Sequence, residues 1–150
     1  MSFFDQLSAE PWRFDWLAVM RRLEREHPDK PRIGDSAARA QDFVALSQNP
    51  YLVFPASTIE AAGRDVNGRL RVVSRFLGMF GPQGALPLTT TDEAFAWLRE
   101  RDDAFPRFVD IFQGRFLALF FRAWADARPI SHNDRPADDR FRDYVGSVIG

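Results

Sequence analysis

The sequence predicts an α+β fold that is rich in helices, with a small antiparallel sheet in the middle of the chain. Three observations predict this class. Apolar residues recur at helical spacing towards both ends of the chain, short alternating segments lie between them, and Asn67-Gly68 is a strong hairpin signal. With 150 residues, of which 45% are apolar and 27% are charged, the chain can form one domain with its own core.

The N-terminal part is predicted to be one helix followed by a loop. The helix begins near Ser8, which can cap it, and ends before His27-Pro28, because the residue before a proline avoids the α region. Glu24 and Glu26 are expected to be ordinary solvated helix charges. Residues 30–41 are predicted to be a loop because Pro, Gly, Asp and Ser interrupt them. The apolar stripe of the helix consists of Trp12, Trp16, Met20 and Leu23.

Short strands are predicted in the middle of the chain. They cover residues 43–46, 51–54 and 69–77, and the last of these alternates apolar and arginine side chains after the hairpin turn. Prolines bracket residues 51–54, which favours a short or edge strand there. Residues 57–62 fit a helical turn or another strand. A loop rich in glycine and proline follows at 78–88.

The rest of the chain is predicted to be helical. One helix begins near residue 90 and ends at Glu100, and a second covers about 103–127. A polar linker at 134–139 precedes a last amphipathic helix that opens with Phe141.

Charge and composition exclude several classes of function. Basic and acidic side chains number 20 and 21, and the net charge of −1 argues against a general nucleic-acid binder, which needs a positive field. The absence of cysteine excludes disulfides and thiolate metal sites. No stretch has the pattern of a transmembrane helix or a signal peptide, so a soluble, cytoplasmic protein is expected.

The sequence carries no motif for catalysis, cofactor binding or metal binding. His27 and His132 lie far apart without cysteine, and each is expected to cap a helix or to lie on the surface. The glycines at 78–84 are not followed by the Lys-Ser/Thr step of a phosphate-binding loop, and Gly146-Ser147 lies outside any nucleophile motif. We therefore expect no enzyme, no cofactor and no metal.

The strongest functional signal is the predicted helix at 111–127, which is apolar around most of its circumference. Such a helix is either buried centrally or shared with a partner chain, and both interpretations stay open. The apolar residues of the glycine-proline loop likewise either mark an interface or pack into the chain's own core. The candidate partner-contacting residues are Arg115, Phe116, Phe120, Phe121, Arg122 and Trp124 in the helix, and Met79, Phe80, Pro82 and Leu86 in the loop.

Six segments carry a family resemblance, namely residues 14–29, 52–57, 76–88, 108–112, 120–124 and 139–144. They include a His-Pro step, a Phe-Pro step, the glycine-proline loop and an Arg-Ala-Trp step. In this order they resemble the TssG family, a baseplate component of bacterial type VI secretion systems that is also called ImpH or VasB. Two stretches depart from the family pattern: residues 89–93 lack its usual histidine, and Gln113-Gly114 stands where the family often has Asn-His.

The resemblance implies assembly rather than catalysis. It implies a structural subunit of a baseplate wedge that joins TssF, TssK and TssE by burying aromatic helix faces, with Arg–carboxylate pairs setting the register. The expected location is the cytoplasm, in a baseplate docked at the inner-membrane complex. Members of the family are about twice as long, so residues 1–150 are expected to be a single domain, the N-terminal part of a longer protein. Its expected parts are 1–41, 42–88 and 89–150.

Two other classes of function remain open at this stage. A small-molecule-binding or enzymatic domain predicts a stable monomer with a Phe-lined pocket and convergent polar groups. A nucleic-acid module based on arginine is disfavoured by the charge balance, and the absence of salt-dependent binding would exclude it.

Overall fold

A computed structural model describes residues 2–149, and within them six α-helices and three strands form the fold. The helices are α1 (Phe3–Ala9), α2 (Trp16–Glu26), α3 (Leu88–Arg99), α4 (Ala104–Asp126), α5 (Pro129–Asn133) and α6 (Arg140–Ile149). The strands are β1 (Val44–Ser47), β2 (Ile59–Arg64) and β3 (Leu70–Ser74). Short 3-10 turns lie at Pro11–Arg13, Arg39–Gln41 and Pro136–Asp138. The predicted α+β class is confirmed.

The sheet has the strand order β1-β3-β2 and is mixed. β2 and β3 form the predicted antiparallel hairpin around Asn67-Gly68. β1 pairs with β3 in parallel, with Val44 opposite Leu70, so the expectation of antiparallel pairing is wrong for this pair. β3 buries three aliphatic side chains and takes the central position between two edge strands. The connection from β1 to β3, residues 48–69, is long enough for the crossover that a parallel pair requires.

The predicted N-terminal helix is two helices, and its predicted start at Ser8 is wrong. α1 begins after Ser2, whose hydroxyl accepts a hydrogen bond from the Asp5 N–H. α2 begins after Asp15, whose carboxylate accepts a hydrogen bond from the Ala18 N–H at 3.0 Å. Pro11 opens the 3-10 turn between them because it has no N–H to donate.

The predicted strand at 51–54 is a loop, because its flanking prolines cannot donate to a ladder and the side chain of Tyr51 anchors it. The Tyr51 ring is buried, and its hydroxyl donates to the carbonyl oxygen of Arg75 at 3.2 Å. The strand interpretation of 57–62 is confirmed, since β2 begins at Ile59. β3 ends at Ser74, three residues earlier than predicted.

Trp16 lies at the centre of the main core, which packs α1, α2, α4 and the sheet together. Its ring contacts those of Phe76, Phe120 and Phe121, with centroid distances of 5.0, 6.4 and 6.1 Å. Such aromatic contacts add to the stabilisation that burial alone gives.

Gln113 and Gly114 position α4 against the sheet and the following loop. A Cβ atom at Gly114 would lie 2.8 Å from the carbonyl oxygen of Leu46, so glycine allows the helix to approach β1 closely. The buried Gln113 accepts a hydrogen bond from the Met79 N–H at 3.1 Å and donates one to the Leu77 carbonyl oxygen at 2.9 Å. These two residues thus hold the helix in place.

Glu24 is buried, and the expectation that it is solvated is wrong. It lies four residues after Met20, on the inward face of α2, and is only 2% exposed. Its carboxylate accepts hydrogen bonds from Arg122 Nη1 at 2.9 Å and from the Ile33 N–H at 2.8 Å. Arg32 Nη1 lies 3.8 Å from the same carboxylate. This ion cluster joins α2, α4 and the loop that follows α2.

Both histidines cap helices. His27 Nδ1 lies 2.9 Å from the carbonyl oxygen of Leu23 near the end of α2. His132 Nε2 lies 3.3 Å from the carbonyl oxygen of Asp126 at the end of α4, but this ring is buried rather than on the surface.

The polar segment at 134–139 is tied to the N-terminal half of the chain. Arg21 forms an ion pair with Asp134 at 2.7 Å, and Arg135 donates to the carbonyl oxygen of Pro28 at 2.9 Å. The helix that follows, α6, buries none of its described side chains.

Candidate interaction surface

α4 has one buried face and one exposed apolar face. The buried face includes Val109, Gln113, Leu117, Phe121 and Ala125. On the other side, six large apolar side chains are 38–56% exposed. Positions 108, 112, 116 and 120 recur every four residues and extend over about 18 Å of helix. We call this set the α4 aromatic face; it consists of Phe108, Ile111, Phe112, Phe116, Leu119 and Phe120.

The structure divides the candidate residues of this helix. Phe116 and Phe120 lie on the α4 aromatic face. Arg115 is exposed beside it, and its Nη1 donates to the carbonyl oxygen of Gly34 at 3.3 Å.

The other candidates of the helix lie inside the fold. Phe121 is fully buried, Trp124 is partly buried with its ring stacked on Phe121, and Arg122 is buried against Glu24. Phe121 and Arg122 therefore have almost no accessible surface, while Trp124 keeps part of its side chain exposed.

The glycine-proline loop packs into the chain's own second core. Phe80 is 1% exposed and packs with Ala94 and Val109, and Met79 and Leu86 lie half-buried against them. Pro82 is also half-buried.

A buried glutamine fixes the backbone of this loop. The amide of Gln48 accepts a hydrogen bond from the Phe80 N–H at 3.0 Å and donates one to the Phe80 carbonyl oxygen at 3.1 Å. The loop therefore offers a partner little free apolar surface.

Sequence reasoning missed four members of the face, Phe108, Ile111, Phe112 and Leu119. The available signal was helical spacing: Phe108 and Phe112 lie eight and four residues before Phe116, and Ile111 and Leu119 lie three residues from Phe108 and Phe116. It also missed Leu77, which is 51% exposed and has a φ of 34°, a conformation that branched side chains rarely adopt. Its carbonyl oxygen is bonded to Gln113, which places it beside the middle of α4.

Exposed apolar side chains also occur away from α4. Val53 and Phe54 are 65% and 74% exposed in the loop before β2. On α6, four apolar side chains are exposed, namely Tyr144, Val145, Val148 and Ile149. Neither set is as large as the α4 aromatic face.

A cavity of about 320 Å³ lies between residues 31–43, β1 and the middle of α4. We call it the loop cavity. Its walls are aliphatic and charged, and among the described residues that line it Phe43 alone is aromatic. It is therefore not the Phe-lined pocket that the ligand-binding alternative predicts.

Asp110 lines the loop cavity, and burial raises the pKa of its carboxyl to about 6. A hydrogen bond from the Gln48 N–H at 3.0 Å and the nearby Arg71 lower this pKa, but their effect is smaller.

We expect Asp110→Asn to become progressively more stable than the wild type as the pH rises from about 4 to about 7. Because the pKa is higher in the folded chain than in the unfolded one, the stability given by the protonated carboxyl is complete below about 3.9 and is lost as the pH rises through 6. The expected change is about 2 kcal/mol, measured as the difference between the two free energies of unfolding in urea. Asp92→Asn, at an exposed position on α3, is the control. A difference that does not vary with pH would contradict the assignment.

Two further features bear on the class of function. Within residues 2–149, no three His, Asp or Glu side chains cluster as metal ligands would. Nor does any helix in that range combine the length and apolarity needed to cross a membrane.

Comparison with known proteins identifies one family. The sequence model described as "Type VI secretion, TssG" matches residues 10–150, which is well over half of the chain. No match is found among curated proteins or among solved structures. The match agrees with the resemblance that the six segments carry, and the chain belongs to the type VI secretion TssG family.

Proposed function

We propose that this chain is a structural subunit of the type VI secretion baseplate wedge, and that the α4 aromatic face is one of its contacts with another subunit. The partners are TssF, TssK and TssE, and the assembly lies in the cytoplasm against the inner-membrane complex. Membership of the TssG family supports the assignment of the chain to a type VI secretion system. The observation that carries the contact is the exposed apolar face of a rigid helix of 23 residues.

The physical argument concerns exposed area. Monomeric proteins rarely expose large contiguous apolar patches, and such patches mark interaction sites. Four phenylalanine rings lie along this face, and aromatic side chains dominate the cores of interfaces. Full burial of one phenylalanine contributes about 1.5–3 kcal/mol, so a few rings are enough for a stable contact.

The test is co-expression of the tagged chain with TssF of the same gene cluster, followed by light scattering of the purified material. We expect a stoichiometric complex with the wild type, and Phe112→Gln/Phe116→Gln to weaken it at least about tenfold. Both rings are about half exposed, so the variant is expected to fold. Phe54→Gln, at a more exposed phenylalanine outside the face, is the matched control.

Three outcomes would count against the proposal. A complex that survives the double substitution, with the helix still folded by circular dichroism, would show that the α4 aromatic face is not the contact. Loss of the complex in the Phe54 control alone would place the contact on the loop before β2. A chain that forms no complex with TssF, TssK or TssE would contradict the proposed assembly for residues 1–150.

A further inference from the structure

Two rows of exposed side chains run along α4, each with a spacing of four residues. The first row is the line of phenylalanines on the α4 aromatic face, Phe108, Phe112, Phe116 and Phe120. The second row lies beside it and alternates charged and apolar side chains, Arg107, Ile111, Arg115 and Leu119. Rows at this spacing are the ridges of a helix surface, and the groove between them accepts a ridge of a second helix whose axis crosses at about 50°.

The backbone of the occupant has to be satisfied by the occupant itself. Apart from Arg107 and Arg115, neither row contains a polar side chain, and the backbone groups in the middle of α4 are bonded within the helix. An extended segment laid on this surface would bury N–H and C=O groups without partners, which costs free energy. An α-helix pairs these groups internally, so a helix is the occupant that the surface favours.

The charges in the two rows are all positive, and one of them has no counter-charge. Arg115 is exposed, and its Nη1 donates to the carbonyl oxygens of Gly34 and Ser36 at 3.3 and 3.5 Å. Among residues 2–149, no carboxylate forms an ion pair with it. Arg107, in contrast, is paired with Asp103 at 2.6 Å. Because a guanidinium binds a carboxylate more strongly than it binds a carbonyl oxygen, an acidic side chain on the occupant complements Arg115.

We propose that the α4 aromatic face receives an amphipathic α-helix of another protein, whose apolar residues fill the groove between the two rows and whose Asp or Glu side chain pairs with Arg115. The inference rests on the proposed function, since both assign this surface to a partner chain. It adds the chemistry of that partner: apolar residues that recur at spacings of three and four, with a carboxylate at the border of the stripe.

The test is a zero-length cross-link in the complex that the tagged chain forms with TssF, or with TssK or TssE where TssF does not bind. Arg115→Lys places an amine at the border of the groove, and Lys30 is the one other lysine of the chain. A carbodiimide joins an amine to a carboxylate in contact with it as an amide and takes up the released water to become a urea. We expect mass spectrometry of the digested product to find position 115 joined to an Asp or Glu of the partner, within a segment of apolar residues at helical spacing.

Charge reversal at the same position gives a second readout. We expect Arg115→Glu to weaken the complex at least about tenfold, because it sets one carboxylate against another. Arg25, an exposed arginine on α2, provides the matched controls. Arg25→Lys is expected to give no cross-link to the partner, and Arg25→Glu is expected to bind the partner as the wild type does. Circular dichroism of each variant checks that the helices are still folded.

Failure of this inference is distinguishable from failure of the proposed function. If Phe112→Gln/Phe116→Gln weakens the complex, while Arg115→Lys gives no cross-link and Arg115→Glu binds normally, the face is a contact but its occupant is not an acidic helix. If the double substitution has no effect, the proposed contact itself is wrong.

Other occupants of the face would also overturn the inference. Cross-links from position 115 to a second copy of this chain would assign the face to self-association. Sedimentation of the chain with phosphatidylglycerol vesicles, lost in Phe112→Gln/Phe116→Gln, would assign it to a lipid surface. A cross-link to a carboxylate outside any segment with helical spacing would exclude the proposed helix.

Discussion

Replacing Glu24 by Gln is expected to lower the free energy of unfolding by about 3–5 kcal/mol. The carboxylate is 2% exposed and is bonded to Arg122, with Arg32 nearby, and both of these arginines are themselves buried. A glutamine amide keeps the shape and one acceptor for the Ile33 N–H, but it removes the buried counter-charge of both arginines. Arg122 then keeps only the half-exposed Asp126, and Arg32 keeps only the half-exposed Asp138 at 3.8 Å. Since natural domains are stable by about 5–15 kcal/mol, this single change removes a large part of the total.

Urea denaturation followed by tryptophan fluorescence measures this loss, because Trp16 lies in the core beside α4. The matched control is Glu26→Gln, two residues later on the same helix. Glu26 forms an exposed ion pair with Arg22 at 2.9 Å, and such pairs contribute about 0–1 kcal/mol. If Glu24→Gln and Glu26→Gln lower the free energy of unfolding by the same amount, the ion cluster around Glu24 does not stabilise the fold as described.

Gly34→Ala is expected to destabilise the chain by about 3 kcal/mol. Gly34 has a φ of 94°, outside the range that alanine adopts without strain. An added Cβ would lie 2.7 Å from the carbonyl oxygen of Ala118 and 2.9 Å from Cβ of Arg122, so both backbone strain and overlap with α4 contribute.

The control for this substitution is Gly63→Ala. No atom lies within 4 Å of a Cβ built at Gly63, and its φ is not in the left-handed region. We expect Gly63→Ala to change the free energy of unfolding by no more than about 1 kcal/mol. A Gly34 variant as stable as the Gly63 variant would mean that the loop after α2 can move away from α4 without cost.

Elements with local signals could be predicted from the sequence. The aromatic run predicted α4 almost to its ends, and Asn67-Gly68 with the alternation after it predicted the β2–β3 turn and β3. The parallel pairing of β1 with β3 could not be predicted in this way, because nothing local in either strand records its partner. The break between α1 and α2 was missed because Pro11 fits a first helical turn as well as a 3-10 turn.

Which candidate residues are buried and which are exposed depends on long-range contacts. Both faces of α4 are apolar, so the sequence could not show which of Phe116 and Phe121 is buried. In the folded chain Phe121 lies in the core and Phe116 is exposed on the opposite side of the helix. Glu24 was missed because an acidic residue on a helix is usually solvated. Its four-residue spacing from Met20 was the signal against that rule.

The arrangement of the main core also sets the order in which this chain can fold during synthesis. Leu7 and Trp16 from the first helices belong to the same buried core as Leu117 and Phe121 of α4, about a hundred positions later. A ribosome adds about 5–20 residues per second, so these N-terminal apolar side chains stay exposed for seconds until α4 has been synthesised. The β2–β3 hairpin can form during that interval because its contacts are local. α4, the helix proposed to meet another subunit, is therefore also the one whose emergence completes the core.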